Sequence, residues 1–468
     1  MNLKLKEFKK NIIGKKVAVL GVGISNMPLI IYLAKLGVDI TAFDKQTPEK
    51  LAVSIKKLEP YNVKFSLGDD YLTRLKGFDI IFKTPVVRYD IPELIQAKSE
   101  GSIITSEMEV FFELCPAKIF GVTGSDGKTT TTTLIYLLLK KEGYNCWLGG
   151  NIGMPLLEEI DHITETDMVV VELSSFQLQT MSKSANVSVI TNLSPNHMDV
   201  HKSYSEYIEA KKNIFKYQNH NDKLILNYDN EETKKLVYEA KGQIAMFSRV
   251  SSLEEGFFIE NDYIVSKRKG MKTQIIKKDD IQIPGEHNVE NFLAAISATS
   301  DFVSLETIKS IATSFNGVEH RNEPVTTING INFFNDSIAS SPGRTAATLS
   351  AYKDKVILIA GGKDKKIPYD EIGKVIYEKV KFLILIGQTS ELIETAYRNY
   401  LKLHKNHNGI TIIHCDSYQD AVEKAYESAI EGDNIILSPA STSFDMFKNF
   451  EERGKLFKKI VMELKLNK

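Results

Sequence analysis

The chain has 468 residues, 43% of them hydrophobic, and its 59 basic and 60 acidic side chains leave a net charge of −1. That length suits about three domains, the balanced charge gives no footprint for nucleic acid, and no apolar run reaches the roughly 18 residues of a membrane span. Cys115, Cys146 and Cys415 are far apart and form no CxxC, which fits neither a disulfide frame nor zinc, and the basic start MNLKLKEFKKNIIGKK lacks the apolar core of a signal peptide. The expectation is a soluble cytoplasmic protein, taken as a monomer.

Residues 16–44 contain a buried-type strand at 17–20, a tight Gly21-Val22-Gly23 turn, a helix at 27–35 ended by Gly37, and a second strand at 39–43 closed by Asp44. This βαβ unit has a nucleotide-binding look, but Asn26 stands where G-x-G-x-x-G wants its third glycine. The reading is a Rossmann-like domain whose ligand is something other than a nicotinamide dinucleotide. Strands at 77–82 and 102–104 continue the α/β pattern, with Thr84-Pro85 turning after the first.

Near Ser106 a second domain begins. Residues 118–141 read KIFGVTGSDGKTTTTTLIYLLLKK: a strand, a glycine-rich loop, Lys-Thr, and a segment of helical length. That is the layout of a phosphate-binding loop. Glycines let the backbone approach an anion, and the helix N-terminus adds partial positive charge. Gly124, Ser125, Asp126, Gly127 and Thr130 form the cradle, Lys128 reaches the outer phosphates, and Thr129 offers a hydroxyl to Mg2+. The loop is a variant, because Val122 occupies the position of the usual first glycine, between Gly121 and Gly124. The five threonines from Thr129 to Thr133 are poor helix formers, so an ordinary turn before a helix does not account for them.

Downstream come Gly149-Gly150-Asn151-Ile152-Gly153 and a strand at 168–171 closed by Glu172, the place for a metal ligand or water holder. A strand at 187–191 runs into Asn192-Leu193-Ser194-Pro195-Asn196-His197-Met198-Asp199, rich in metal-capable side chains. A helix with Tyr207, Ala210, Lys211 and Phe215 follows, then short lysine-rich strands at 250–282. The helix after Pro284-Gly285 carries Asn288 and Asn291 on one face, where they either read a purine edge or cap the helix. Around 317–324 the chain starts again with a hairpin at 326–335, Asn329-Gly330 as its turn, and then alternating helices and strands at 356–360, 382–386, 411–414 and 434–437. This alternation predicts a third, doubly wound domain.

Together these motifs resemble the Mur ligase family over essentially the whole chain. TGSDGKTT is similar to that family's displaced ATP loop, and Asn151, Glu172, His197, the Tyr207-to-Lys211 element, His287-Asn288, Arg321 and Asp336 stand where its ATP-site motifs do. ELSSFQL (172–178), NDSIAS (335–340) and SPASTSFDMFKNFEERG (438–454) resemble the member that adds D-glutamate, and no DNPR-like motif of the diaminopimelate- or lysine-adding members occurs.

The resemblance implies an α/β fold of three domains: an N-terminal Rossmann-like domain binding UDP (1–106), a central P-loop ATPase-like parallel sheet (107–317) and a C-terminal Rossmann-like amino-acid domain (318–468). It implies an ATP-dependent amide ligase of peptidoglycan synthesis, with UDP-MurNAc-L-Ala and D-glutamate as substrates and an acyl phosphate intermediate. Lys128, Glu172, His197 and Lys211 carry the catalytic roles. Thr129, Glu172, His197 and a carbamylated Lys211 hold Mg2+, two ions in all. Asn288, Asn291, Arg321 and Asp336 complete the ATP site. Ile24, Ser25, Asp44 and Asn151 hold the UDP substrate, and Ser340, Lys365, Ser443 and Phe450 hold D-glutamate. A free lysine has a pKa of about 10.4 and brings a cation to a metal site, whereas a carbamate reverses that sign. Ile338 stands where some relatives place a lysine, and Arg344 is the candidate to compensate. A folate-type ligase fits less well because of residues 16–44. A nucleotide switch leaves the C-terminal domain unexplained, and a dehydrogenase leaves the phosphate loop unexplained.

Overall fold

The four apolar residues at 17–20 are fully buried, as a strand inside a covered parallel sheet requires. In the computed structural model, which describes residues 2–23, 26–196, 198, 200–283, 285–364, 368–404 and 409–466, they belong to β1 (Lys16–Leu20). With β2 (Asp39–Asp44), β3 (Lys64–Leu67), β4 (Ile80–Phe82) and β5 (Ile103–Thr105), β1 makes a sheet of order β3-β2-β1-β4-β5. Every pairing is parallel. The order reverses between β1 and β4, so the binding crevice of this doubly wound sheet lies beyond their carboxyl ends.

The second sheet is built on β6 (Lys118–Thr123), flanked by β8 (Met168–Glu172) and β9 (Val187–Ile190), with β7 (Cys146–Gly150) outside β8. Beyond β9 come β10 (Lys223–Asn227), β11 (Gln243–Ser248), β12 (Gly256–Glu260), β13 (Tyr263–Arg268) and β14 (Met271–Lys277), in that order. The pairings are parallel as far as β12, as a P-loop-type sheet requires, and β13 and β14 add an antiparallel end. The cause is local. Asn261 and Asp262 have φ of 50° and 62°, and Lys269 and Gly270 have 50° and 77°. Two-residue turns with both φ positive match the strand twist and fold consecutive strands into hairpins.

The threonine run lies inside the helix Lys128–Glu142, with Thr129 to Thr132 buried beside Leu134, Ile135, Leu138 and Leu139. Packing against the helix Glu286–Thr299 overrides the low propensity, and the Thr132 hydroxyl bonds back to the Lys128 carbonyl at 2.8 Å. One apolar core runs from Val17 and Val19 of the first sheet and Leu33 of the helix packed on it, through Phe111 and Leu156, to Val169 of the second sheet. Both sheets accordingly fall in one compact unit, Met1–Ser314.

The other unit is Phe315–Lys468. Its sheet has the order β15-β16-β20-β17-β18-β19, from β15 (Glu323–Ile328), β16 (Ile331–Asn335), β17 (Val356–Ala360), β18 (Val380–Ile386), β19 (Thr411–Cys415) and β20 (Asn434–Leu437). Only the β15–β16 hairpin is antiparallel, turned by Asn329 and Gly330 with φ of 50° and 75°. Alternate residues feed two cores: Ile357, Ile359, Ile435 and Leu437 on one face, Leu358, Ala360 and Ile436 on the other. The order reverses between β17 and β20. Among the described residues no helix is long and apolar enough to cross a membrane.

Candidate active site

β6 ends at Thr123, and the loop to the next helix is shaped by two glycines. Gly124 has φ of 151° and Gly127 has φ of 76°. A Cβ on the first collides with the Thr191 hydroxyl, and one on the second collides with the Asn291 side-chain oxygen. Glycine is required at both places on space as well as on φ. Val122 explains the variant spacing. It is a fully buried strand residue, in register with Glu172 across the β6–β8 ladder. Gly121 serves packing instead, since a Cβ there comes within 2.8 Å of Ala185 Cβ.

The loop is pinned from the neighbouring strand. Asp126 N–H donates to Asn192 Oδ1 at 2.9 Å, and the Thr191 hydroxyl donates to the Asp126 carbonyl at 2.6 Å. Ser125 Oγ lies 2.9 Å from the Tyr207 hydroxyl and donates to the Ser194 carbonyl at 2.9 Å. Lys128 Nζ donates to the carbonyls of Gly124 at 3.0 Å and Ser125 at 2.8 Å, so its charge stands over the loop. Asn192 and Thr191 were not singled out as site residues from the sequence. Thr191 has no sequence signal beyond its place at the end of an apolar strand, and Asn192 opens the loop rich in metal-capable side chains.

Glu172 ends β8 and is 1% exposed. Its Oε1 accepts from Asn151 Nδ2 at 2.7 Å, while its Oε2 is buried with no hydrogen-bond partner among the described residues. The Asn151 N–H donates to the Glu172 carbonyl at 2.8 Å, and a Cβ on Gly150 collides with that carbonyl. A buried carboxylate oxygen left unpaired is costly unless a cation takes it up. Thr129, also buried, starts the helix of the phosphate loop. Hydroxyl and carboxylate oxygens are hard donors of the type Mg2+ takes, so these residues fit the ion. Among the described residues no three His, Cys, Asp or Glu side chains cluster as a metal site. His197 lies outside the described residues.

Lys211 is 2% exposed and one turn on from Tyr207. Its Nζ donates to the Gly124 carbonyl at 2.8 Å and to Thr123 Oγ1 at 3.1 Å, and it stands over the Tyr207 ring at 4.7 Å. Burial, then the charge of Lys128, pushes its pKa well below the usual lysine range, against the pull of Glu172 and Asp126. Lys212 faces the other way, paired with Glu209 at 2.6 Å and Glu239 at 2.5 Å. Asn291 is buried behind the loop, accepting from Thr131 Oγ1 at 3.3 Å and donating to Asn288 Oδ1 at 3.3 Å.

In the first sheet, Asp44 sits at the carboxyl end of β2. Its Oδ2 accepts from the Val22 N–H at 2.8 Å and its Oδ1 from the Gln46 N–H at 2.9 Å. Asn26, in place of the third glycine, is buried and donates to the Leu20 carbonyl at 2.7 Å. Ile24 and Ser25 lie outside the described residues. In the loop after β4, Arg88 forms a fork on Asp90 (2.8 and 3.0 Å) and also donates to Glu206 at 2.8 Å and to the Val200 carbonyl at 2.6 Å. The loop after β4 is thereby tied to the start of the helix that carries Lys211.

In the second unit, Asp336 is 2% exposed. It accepts from Thr348 Oγ1 at 2.6 Å, Ser438 Oγ at 2.7 Å and the Asn322 N–H at 3.1 Å, and burial raises its pKa. It therefore knots β16 to β20 and to the helix Pro342–Ser350, and neighbouring Arg321 is half-buried. Ser443 is buried, Ser340 half-buried, and Phe450 opens the helix Phe450–Leu466 with its ring edge-on to His320 at 6.0 Å. Arg344 is exposed and donates to the Ile338 carbonyl at 3.4 Å. Lys365 lies outside the described residues. Arg453, fully buried, was overlooked in the sequence. Its signal is its phase, four residues before the buried Phe457 on the same apolar face.

The model described as "Mur ligase middle domain" matches residues 122–299, and the one described as "Mur ligase, glutamate ligase domain" matches residues 320–441. The UDP-N-acetylmuramoylalanine–D-glutamate ligase of Ruminiclostridium cellulolyticum is 60% identical over 465 residues, which cover 99% of this chain and 100% of that protein. The enzyme of the same name from Acetivibrio thermocellus is 60% identical over 461 residues, 98% of this chain and 99% of that one. The solved UDP-N-acetylmuramate-alanine ligase from Thermotoga maritima covers 96% of this chain and 100% of its own, with a TM-score of 0.57 at 19% identity, and shares the fold.

Proposed function

Because this chain belongs to the Mur ligase family, we propose that it is the ATP-dependent ligase that joins D-glutamate to UDP-N-acetylmuramoyl-L-alanine in peptidoglycan synthesis. The observation that carries this reading is the meeting of the phosphate loop, the unpaired Glu172 oxygen and the buried Lys211 amine in one place, in a chain whose 60%-identical relatives bear that enzyme's name. We assign residues 1–106 to the UDP end of the substrate, 107–317 to ATP, and 318–468 to D-glutamate.

In the first step a carboxylate oxygen of the alanyl group attacks the γ-phosphorus of ATP, and ADP leaves. In the second, the D-glutamate amine attacks the acyl carbon, phosphate leaves with the bonding pair, and the amine loses a proton as the amide forms. Negative charge gathers on phosphoryl oxygens in both, so the chain's task is positioning and positive charge. Lys128 brings its ammonium to the loop, and the N–H groups at the start of Lys128–Glu142 face the phosphates. Thr129, Glu172, His197 and a carbamylated Lys211 would hold Mg2+, which would supply positive charge against the phosphates. The lowered basicity of Lys211 favours its neutral, nucleophilic amine, the form that takes up CO2 as a carbamate. Asn288, Asn291, Arg321 and Asp336 serve the nucleotide. Ile24, Ser25, Asp44 and Asn151 serve the UDP substrate. Ser340, Lys365, Ser443 and Phe450 hold the glutamate carboxylates.

The test is phosphate release from ATP with UDP-MurNAc-L-Ala, comparing D-glutamate with L-glutamate, L-alanine, L-lysine and diaminopimelate. Turnover with D-glutamate alone is the expected result. Turnover with another amino acid overturns the substrate assignment, and none with any of them overturns the reaction.

A further inference from the structure

The second unit contains a guanidinium that no part of the reaction above uses. Arg453 is 0% exposed, in the first turn of the helix Phe450–Leu466. A buried arginine keeps its charge and demands partners for its planar fork. One edge has them: Nε donates to Ser337 Oγ at 3.0 Å and Nη2 to the Ser337 carbonyl at 2.8 Å. Ser337 Oγ in turn donates to the Phe450 carbonyl at 2.8 Å. The other nitrogen, Nη1, is buried with no hydrogen-bond partner among the described residues, and so is Asp445 Oδ2.

Nη1 points to the place where the order of the third sheet reverses. A Cβ on Gly362, just past β17, would stand 3.1 Å from it and 3.3 Å from Ser441 Cβ. The loops after β17 and β20 are already fastened to each other. The Gly361 N–H donates to the Pro439 carbonyl at 2.8 Å and the Lys363 N–H to the Thr442 carbonyl at 2.8 Å, while Thr389 Oγ1, just past β18, lies 2.7 Å from Ser441 Oγ. The loop after β16 is tied to the β20 loop by Ser438 Oγ on Asp336 Oδ2 at 2.7 Å, and the Arg453 grip on Ser337 fastens that loop to the start of the last helix. The three loops so joined lead to Ser340, Lys363 and Ser443, and the arginine's own helix begins with Phe450.

We propose that Arg453 is a positioning residue for the amino-acid substrate: it fixes the loops after β16, β17 and β20 and the start of the last helix in one arrangement, and places a permanent positive charge behind a site for a dicarboxylic amino acid. It does not touch the substrate. Tyr418, which shares a side-chain hydrogen bond with the guanidinium, Asp445 and Asp336 are the ionisable groups facing it, and both Asp336 oxygens are held by hydrogen bonds of their own. The inference rests on the D-glutamate reading given above.

The experiment is steady-state kinetics of the full chain and of R453K, R453A and S337A, with each substrate varied in turn. R453K keeps the charge but loses the two-pronged grip. The expected result is a rise of about tenfold or more in the KM for D-glutamate, since small misplacements at a reacting centre are costly. The KM values for ATP and UDP-MurNAc-L-Ala stay within about twofold. S337A shifts the same constant in the same direction, and added guanidinium partly restores R453A. An unchanged KM for D-glutamate in R453K, or an equal change in all three KM values, overturns the proposal. If R453A does not fold, R453K and S337A still decide it. Failure of the parent chain to use D-glutamate overturns the substrate reading instead, and so is told apart.

Discussion

Lys211 Nζ lies 2.8 Å from the carbonyl oxygen of Gly124, so a buried amine and the phosphate loop are parts of one structure. Burial and the charge of Lys128 lower its pKa well below the usual lysine range, which favours the neutral amine that carbamate formation needs. Lys211→Arg keeps a cation but forms no carbamate. Its expected turnover is lower by about 10²–10³, the scale of losing one charge-stabilising group. Labelling the parent protein with 13C-bicarbonate and recording its NMR spectrum checks the cause. A carbamate carbon signal that is absent in Lys211→Arg is expected, and its absence from the parent contradicts the assignment.

Asn151 orients Glu172 by holding Oε1 at 2.7 Å and leaving Oε2 unpaired. Removing a partner that aims a metal-holding carboxylate commonly costs about 10–100-fold in metal affinity. Asn151→Ala is therefore expected to raise the Mg2+ concentration for half-maximal phosphate release by about that factor. A Mg2+ titration at saturating substrates measures it, and an unchanged midpoint refutes the role.

Gly127 has φ of 76° and its missing Cβ makes room for the Asn291 side chain. Gly127→Ala meets strain and collision together, a cost of about 1–3 kcal/mol. Expected are a lower Tm and a higher KM for ATP. The double variant with Asn291→Ala relieves the collision but not the φ, so it recovers only part of the loss. Thermal unfolding of the three proteins separates the two terms.

The Arg88–Asp90 fork supplies the pH prediction. The Arg88 hydrogen bonds, then Lys202, hold the Asp90 carboxyl well below its ordinary 3.8. A depressed carboxylate stabilises the fold above its unfolded value, and that contribution fades as pH falls from about 5 through 3.8 and below. Arg88→Ala is expected to lower Tm at pH 7, with the difference from the parent chain shrinking steadily as the pH is brought down through 4. A constant difference over that range means the loss has another cause.

Arg344 stands 3.4 Å from the Ile338 carbonyl, in the loop where some relatives place a lysine. If it supplies the missing charge, Arg344→Ala raises the KM for D-glutamate several-fold and leaves the KM for ATP alone. No rise sinks that role.

Much of this molecule was legible in the sequence because its signals are local. A strand of Val17 to Leu20, a glycine-rich turn and Lys128-Thr129 each state a backbone geometry or a charge in adjacent residues, and the elements form at those positions. The Asn329-Gly330 hairpin was equally readable, since only residues tolerant of positive φ make that turn. The antiparallel end of the second sheet was not, because Asn261-Asp262 and Lys269-Gly270 are weaker turn signals within lysine-rich strands whose pairing depends on neighbours.

What the sequence by itself determined is the order of the elements, the three sheets and the phosphate loop, because these follow from periodicity and from glycine at fixed spacing. Only the tertiary structure decided which atoms meet: that the Lys211 amine reaches the Gly124 carbonyl, that Glu172 keeps one oxygen unpaired among the described residues, and that Arg453 reaches Ser337 across 116 positions of chain. Burial and hydrogen bonding are properties of what surrounds a side chain, and those surroundings come from residues far away in sequence.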